Sequence, residues 1–224
     1  METRTVRRTQ VTLPYLDDVA NEVDSLEGEH GKLSDFAYAD AHLRDLSLSG
    51  TQLMDGHVTG LTTQRALLAE LRLNSVAFSG CDLSGLRWRD SKLSRVIFTG
   101  CKLLGSAWED VTLEDVIFEE CRLDYATFIR LRTSGPMIFS RCDLREARFS
   151  GSDLSKAAFD ECNLHLTEFD GGSYRGCDLR SNDLSSLRGV SVLKEIIIDR
   201  PQLHHLAQAL AADLRISFGE GLEN

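Results

Sequence analysis

No apolar run in these 224 residues is long enough to span a bilayer. No secretory leader is expected, because Met1–Gln10 carries Arg4, Arg7 and Arg8 but no apolar core follows them. Both lacks point to a cytoplasmic protein. Positive charge is short as well: 25 Lys and Arg stand against 35 Asp and Glu, for a net charge of −10. A direct nucleic-acid partner is thereby disfavoured, since phosphate binding needs clustered Lys and Arg. Negative charge suits solubility or a basic partner surface. The histidines (His30, His42, His57, His165, His204 and His205) show no metalloprotease spacing, and no phosphate-cradling glycine loop appears. Proline is scarce, with three residues. With no pocket implied, neither catalysis, a metal nor a cofactor is expected.

What the chain does have is a period of five. Over Asn74–Leu184 large apolar residues recur at every fifth position: Leu83, Trp88, Leu93, Phe98, Leu103, Trp108, Leu113, Phe118, Leu123 and Phe128. After one extra residue they resume as Phe139, Leu144, Phe149, Leu154, Phe159, Leu164, Phe169, Tyr174, Leu179 and Leu184. Two residues before each sits a smaller side chain, such as Cys81, Ser91, Val96, Cys101 or Ala126. Neither helix nor flat strand holds such a register. A fixed internal period marks a solenoid, in which each unit buries its face by stacking on the next. Leu and aromatic residues alternate at the central position, and cysteine recurs every twenty residues at Cys81, Cys101 and Cys121, then Cys142 and Cys162. Four fives per turn imply four sides and columns of like side chains.

The triplets Cys81-Asp82-Leu83, Cys142-Asp143-Leu144, Ser152-Asp153-Leu154, Cys162-Asn163-Leu164 and Cys177-Asp178-Leu179 resemble the motif of the pentapeptide-repeat family. The resemblance implies an all-β fold, a right-handed quadrilateral β-helix with two inward residues in every five. It is nearest the Qnr and MfpA type of quinolone-resistance branch: acidic rod-shaped dimers, joined through C-terminal helices, that imitate DNA and bind DNA gyrase. Three features carry it: an uninterrupted solenoid, negative charge, and a C-terminal strand followed by Asp199-x-Pro201-Gln202-Leu203 and an apolar helix.

Three segments are expected. Residues 1–32 lack the register; Thr9–Leu13 reads as a short extended stretch, and the acidic run Asp17–Glu29 as a polar cover over the open end. Residues 33–184 form the β-helix. Phe36 and Leu46 are bulky for their slots, Thr63–Leu71 is a weak patch kept in the coil, and Thr133-Ser134-Gly135-Pro136 is a turn carrying the extra residue. Residues 185–224 form a strand–helix segment: Val190–Ile198 reads as a strand, Asp199 and Gln202 as a capping box, and Ile216 and Phe218 as an extended tail. Between them Leu203, Leu206, Leu210 and Leu214 make an apolar stripe that closes the last coil, meets a second copy, or does both.

Cysteines in equivalent inward slots, interchangeable with Ala, Ser and Val, read as small apolar filler. The surface feature above background is an acidic belt of Glu109, Asp110, Glu114, Asp115, Glu119, Glu120 and Asp124, expected at outward corners, with Asp160 and Glu161 two coils further on. These carboxylates are the expected partner-binding residues, against a solvated acidic surface as the plain reading. Two functions remain: a DNA mimic that binds gyrase or a related type II topoisomerase, and a protein-interaction or structural scaffold with no such partner.

Overall fold

The computed structural model describes residues 2–16, 20–217 and 219. From Lys32 the backbone winds in coils of twenty residues, a β-solenoid ending in a single helix. Two parallel sheets, of nine and seven strands, run along it in sequence order. Their register is the sequence period itself: Phe78 pairs with Phe98 and Phe98 with Phe118, each step twenty residues. Backbone bonds tie coil to coil throughout, as in Lys102 N–H to the Cys81 carbonyl at 2.8 Å and Leu103 N–H to the Arg122 carbonyl at 2.8 Å.

The period of five arises because the chain turns a corner in every five residues. Strands such as Lys92–Thr99 and Thr112–Glu119 each span two sides, since their fourth residues, Arg95 (φ 52°) and Asp115 (φ 54°), are left-handed. Gly and, among side chains, Asp and Asn tolerate that conformation best. Accordingly Asp35, Asp40, Asp55, Asp90 and Asp110 all occupy such corners.

Inward residues fill the coil. Phe78, Phe98, Phe118, Phe139 and Phe159 stack as one column with successive centroids 4.7–5.1 Å apart. Trp88, Trp108, Phe128, Phe149 and Phe169 form a second, and the two meet edge to face, as at Phe98–Trp108 (5.9 Å, 90°). The smaller slot holds the cysteines, all six free and buried. Their thiols do more than fill space: Cys121 Sγ lies 3.4 Å from the Phe98 carbonyl and 3.3 Å from that of Glu119. Ser152 donates to the matching carbonyls of Phe128 and Ser150. Burial pushes the Cys142 and Cys177 thiols well above their ordinary pKa, so they stay neutral. At the far end the cysteine column passes to Asn182 and Gln202, again twenty apart. Gln202 Nε2 donates to the carbonyls of Leu179 (3.0 Å) and Asn182 (2.7 Å).

The irregular stretches resolve on local grounds. Phe36 fits because residue 56, its partner one coil on, is glycine; a Cβ there would stand 2.2 Å from the Phe36 ring. Thr62–Ala69 is a regular strand with Thr63 buried. The extra residue lies between Arg132–Thr133 and Met137–Ser140, after which pairing shifts to 21 residues, as in Val116 with Met137. Val190–Ile198, expected as a strand, is not one. It starts as a 3-10 turn (Val190–Val192) and completes a last coil, with Glu195 at a corner and Ile197 bridging Asp178. The period of five outweighs β-branched composition there, and the coil runs past Leu184.

At the other end Asn21–Glu22 pairs with the first coil and Leu26 enters the core. By contrast, β1 (Thr3–Val6) and β2 (Thr9–Thr12) form an antiparallel hairpin on the side of the rod, not over its end. The helix α1 (Leu203–Asp213) follows a capping box in which Gln202 Oε1 accepts the Asp199 N–H at 2.7 Å. It covers the last coil through Ala209, Leu206 and Asp213, whose carboxylate accepts the Val190 N–H at 2.7 Å. Of the extended tail, Phe218 lies outside the described residues.

Phe118→Ala and Phe159→Ala are each expected to lower unfolding free energy by about 3–5 kcal/mol in urea titrations, because a filled column cannot collapse around the gap. Cys121→Ala costs much less, whereas Cys121→Leu overpacks the slot. Gly56→Ala should cost more in the wild type than in a Phe36→Leu background, since an added Cβ would stand 2.2 Å from the Phe36 ring. An equal loss in the two backgrounds would refute the packing account of residue 56.

Candidate acidic interface

Corner geometry places most of the expected carboxylates outside the coil, but it does not leave them bare. A basic side chain one coil away meets six of the nine. Arg130 donates to Glu109 Oε1 (2.6 Å) and, through Nε and a terminal nitrogen, to both oxygens of Asp110 (2.9 and 2.6 Å). Arg141 bridges Glu119 and Glu120, the latter at 3.0 Å. Lys92 lies 3.1 Å from Glu114. Lys102 with Asp82 and Arg148 with Glu168 and Asp170 repeat the arrangement.

The belt also divides by face. Glu109 and Asp110 stand half a coil from Glu119 and Glu120, so no single surface gathers all seven. Asp124, expected at an outward corner, is 1% exposed. Arg145 and Arg122 close over it, with Arg145 also holding Asp143 at 3.1 Å. A long guanidinium stem laid across the corner removes that carboxylate from solvent. Asp115, Glu119 and Asp160 share one face and meet the N-terminal hairpin. Asp115 Oδ1 accepts the Thr12 N–H (3.0 Å), Glu119 pairs with Arg4, and Asp160 pairs with Arg7 (2.7 Å). Glu161 is an exposed corner.

The exposed carboxylates without an ion-pair partner among the described residues lie mainly elsewhere, in the first coils: Glu22, Asp24, Glu27, Glu29, Asp35, Asp40, Asp55 and Glu70. Residues 21–70 hold nine acids and three bases, six of the ten net negative charges. Density of acids alone pointed to the belt. For Asp35, Asp40 and Asp55 the better signal is the lack of a base about twenty residues away. Among the described residues no three His, Cys, Asp or Glu side chains converge as metal ligands would. No described helix is long and apolar enough to cross a membrane.

A stack of parallel coils with two inward residues in five, filled to the axis, defines a β-solenoid whose chemistry lies on its outer faces. More narrowly, the chain is a pentapeptide-repeat protein. A model of the pentapeptide repeat region matches residues 65–128, and one of eight pentapeptide repeats matches residues 138–173. Among solved structures it is similar to a trypsin-treated variant of QnrB1, a plasmid-mediated fluoroquinolone resistance protein (20% identity over 85% of this chain and 93% of that one, TM-score 0.40). It also matches full-length QnrB1 at 14% identity, over 80% of this chain and 99% of that one, with TM-score 0.28. A third is HetL, a pentapeptide-repeat protein involved in heterocyst differentiation regulation from the cyanobacterium Nostoc sp. strain PCC 7120 (18% identity, 75% and 86% covered, TM-score 0.23). Likenesses this distant concern the fold alone and do not assign the chain to the Qnr branch. No curated protein sequence matches it.

The ion pairs make stability depend on pH. Arg4, by its hydrogen bond and then its charge, and Arg141 after it hold the Glu119 carboxyl below its ordinary pKa, against partial burial that opposes them. Arg130 does the same for Asp110. A depressed folded-state pKa gives stability that is present above the unfolded value and lost as pH falls through the folded one. The urea midpoint is therefore expected to drop below about pH 5. In Arg4→Gln and Arg130→Gln variants that drop should be shallower; an unchanged pH profile would contradict it.

Proposed function

We propose that this chain is a non-enzymatic binding rod. In this reading its acidic coils occupy the basic DNA-binding groove of DNA gyrase or a related type II topoisomerase, imitating DNA and modulating inhibition by quinolone-like drugs. The observation that carries it is the set of exposed carboxylates Asp35, Asp40, Asp55 and Glu70, without ion-pair partners among the described residues, on coils spaced about 4.8 Å apart. DNA presents a charge every ~1.7 Å of axis, so a mimic must spread negative charge along a rod instead of pooling it. The resemblance of the repeats and of the C-terminal pattern to the quinolone-resistance branch supports the choice of partner.

The same reading includes a homodimer through α1. Leu203, Leu210 and Leu214 are 67%, 36% and 60% exposed, while Leu206 and Ala209 turn toward the last coil. One edge of the helix caps and the other remains for a second copy.

A specific observation favours the second reading, a scaffold with no topoisomerase partner. Left-handed corners favour Asp for backbone reasons, and the belt acids are matched by bases one coil away, so much of the acidity serves the fold.

Purified protein is expected to inhibit gyrase supercoiling at low salt and less as salt screens the field. The assay is run with and without a quinolone. Joint reversal of Asp35, Asp40, Asp55 and Glu70 to Lys should abolish inhibition while the far-UV circular dichroism of the β-helix is retained, since Arg95 and Arg130 already occupy left-handed corners. Reversal of Glu114, Asp115, Glu119 and Glu120 should instead lower the melting temperature, because it breaks ion pairs. No topoisomerase binding by the wild type would leave the scaffold reading standing. For the dimer, Leu210→Glu with Leu214→Glu is expected to halve the solution mass; a monomeric full-length wild type would exclude it.

A further inference from the structure

Among the outward positions of the parallel sheets, one column is apolar over four successive coils. Ile97, Ile117, Ile138 and Ala158 pair in register on successive coils and point outward, because their neighbours Val116 and Phe118 point in. Ile117, Ile138 and Ala158 nonetheless have no exposed surface. The cover is the hairpin β1–β2, which places Val11 on the column with no exposure and sets Val6 and Leu13 beside it. This cluster is separate from the inward core.

Polar contacts fix the hairpin at both margins. Beside the Arg4–Glu119 and Thr12–Asp115 contacts, Arg7 reaches Asp160 (2.7 Å), Ser181 Oγ (2.6 Å) and Asp178 (3.5 Å). Its two strands form a sheet of their own and add no rung to the sheets of the solenoid. Backbone bonds join coil to coil independently of it. The arrangement is therefore an apolar strip edged by carboxylates, occupied by a segment that carries Val6, Val11 and Leu13 together with Arg4 and Arg7.

We infer that this strip is a docking surface for an extended segment of a partner protein that carries β-branched aliphatic residues together with Arg or Lys. The hairpin β1–β2 is its intramolecular occupant and must lift before the partner binds. Charge complementarity and the hairpin's own sequence define the partner's chemistry. Val11 and Val6 supply the apolar contacts, and Arg4 and Arg7 the cationic ones, that a competitor has to reproduce. The inference is independent of the topoisomerase reading, which rests on other carboxylates.

The test uses the full chain with Arg4→Glu, Arg7→Glu and Val11→Asp, which loosen the hairpin and leave the strip intact. The probe is a labelled synthetic peptide of residues 2–13. The opened variant is expected to bind the peptide at least tenfold more tightly than the wild type, and Ile138→Asp added to it should remove that binding. Equal affinity for wild type and opened variant, or binding indifferent to Ile138→Asp, overturns the proposal. A second measurement stands if the variant fails to fold. In the wild type, amide exchange over Thr3–Thr12 should accelerate about tenfold on raising salt to about 1 M, where the Debye length is near 3 Å. Exchange over Thr112–Glu119 should stay the same. A hairpin whose protection does not respond to salt overturns the proposal as well.

Discussion

Everything in this structure depends on one constraint: each coil must place its backbone hydrogen bonds directly over those of the next. Parallel pairing at a step of twenty residues leaves no freedom in which side chains face the axis, so two in every five are committed to a column. The columns then set composition. Rings stack on rings at 4.6–6.1 Å, and the narrow slots take Cys, Ser, Ala or Val. Where the slot holds a thiol or hydroxyl, it also reaches backbone carbonyls. An apolar column and a carbonyl-facing column are thus two answers to the same backbone.

That constraint explains what could be read from sequence. A period repeated over a hundred residues fixes the fold, the inward residues and the slip at Gly135, because each coil independently reports the same register. It also kept Thr62–Ala69 in the solenoid despite a polar central residue. Failures came where one coil was judged by itself. Val190–Ile198 looks like a strand by composition, yet its role is set by Asp178 and Gly176 on the coil before it. Phe36 looked oversized until paired with Gly56. The hairpin was legible only as an extended stretch at Thr9–Leu13, since nothing in a local sequence tells a strand which face of a rod it will cross.

The acidic surface was legible in part, and for an instructive reason. Acids follow one another along the chain, whereas their partners lie across it. Glu109 and Asp110 look like bare charge until Arg130 is placed twenty residues on, and Glu119 and Glu120 until Arg141 is. Exposed pairs of this kind contribute little singly, but shared guanidinium contacts order several side chains at once. The same test, applied at the period of the coil, isolates Asp35, Asp40 and Asp55 as acids without such a partner. Here the periodic register, and not density along the chain, is the natural coordinate for charge.

The two indoles, finally, sit on adjacent coils near the middle of the rod, stacked 4.8 Å apart at 22°. Because a repeat contacts only its neighbours, such a rod can fray from either end while its centre stays closed. Intrinsic fluorescence would then be blind to the first opening events: emission senses a single pair of coils, not the molecule. Circular dichroism, which averages over every coil, would begin to change earlier. Any separation between the two signals would measure, in an unlabelled protein, how far cooperativity extends along a one-dimensional lattice.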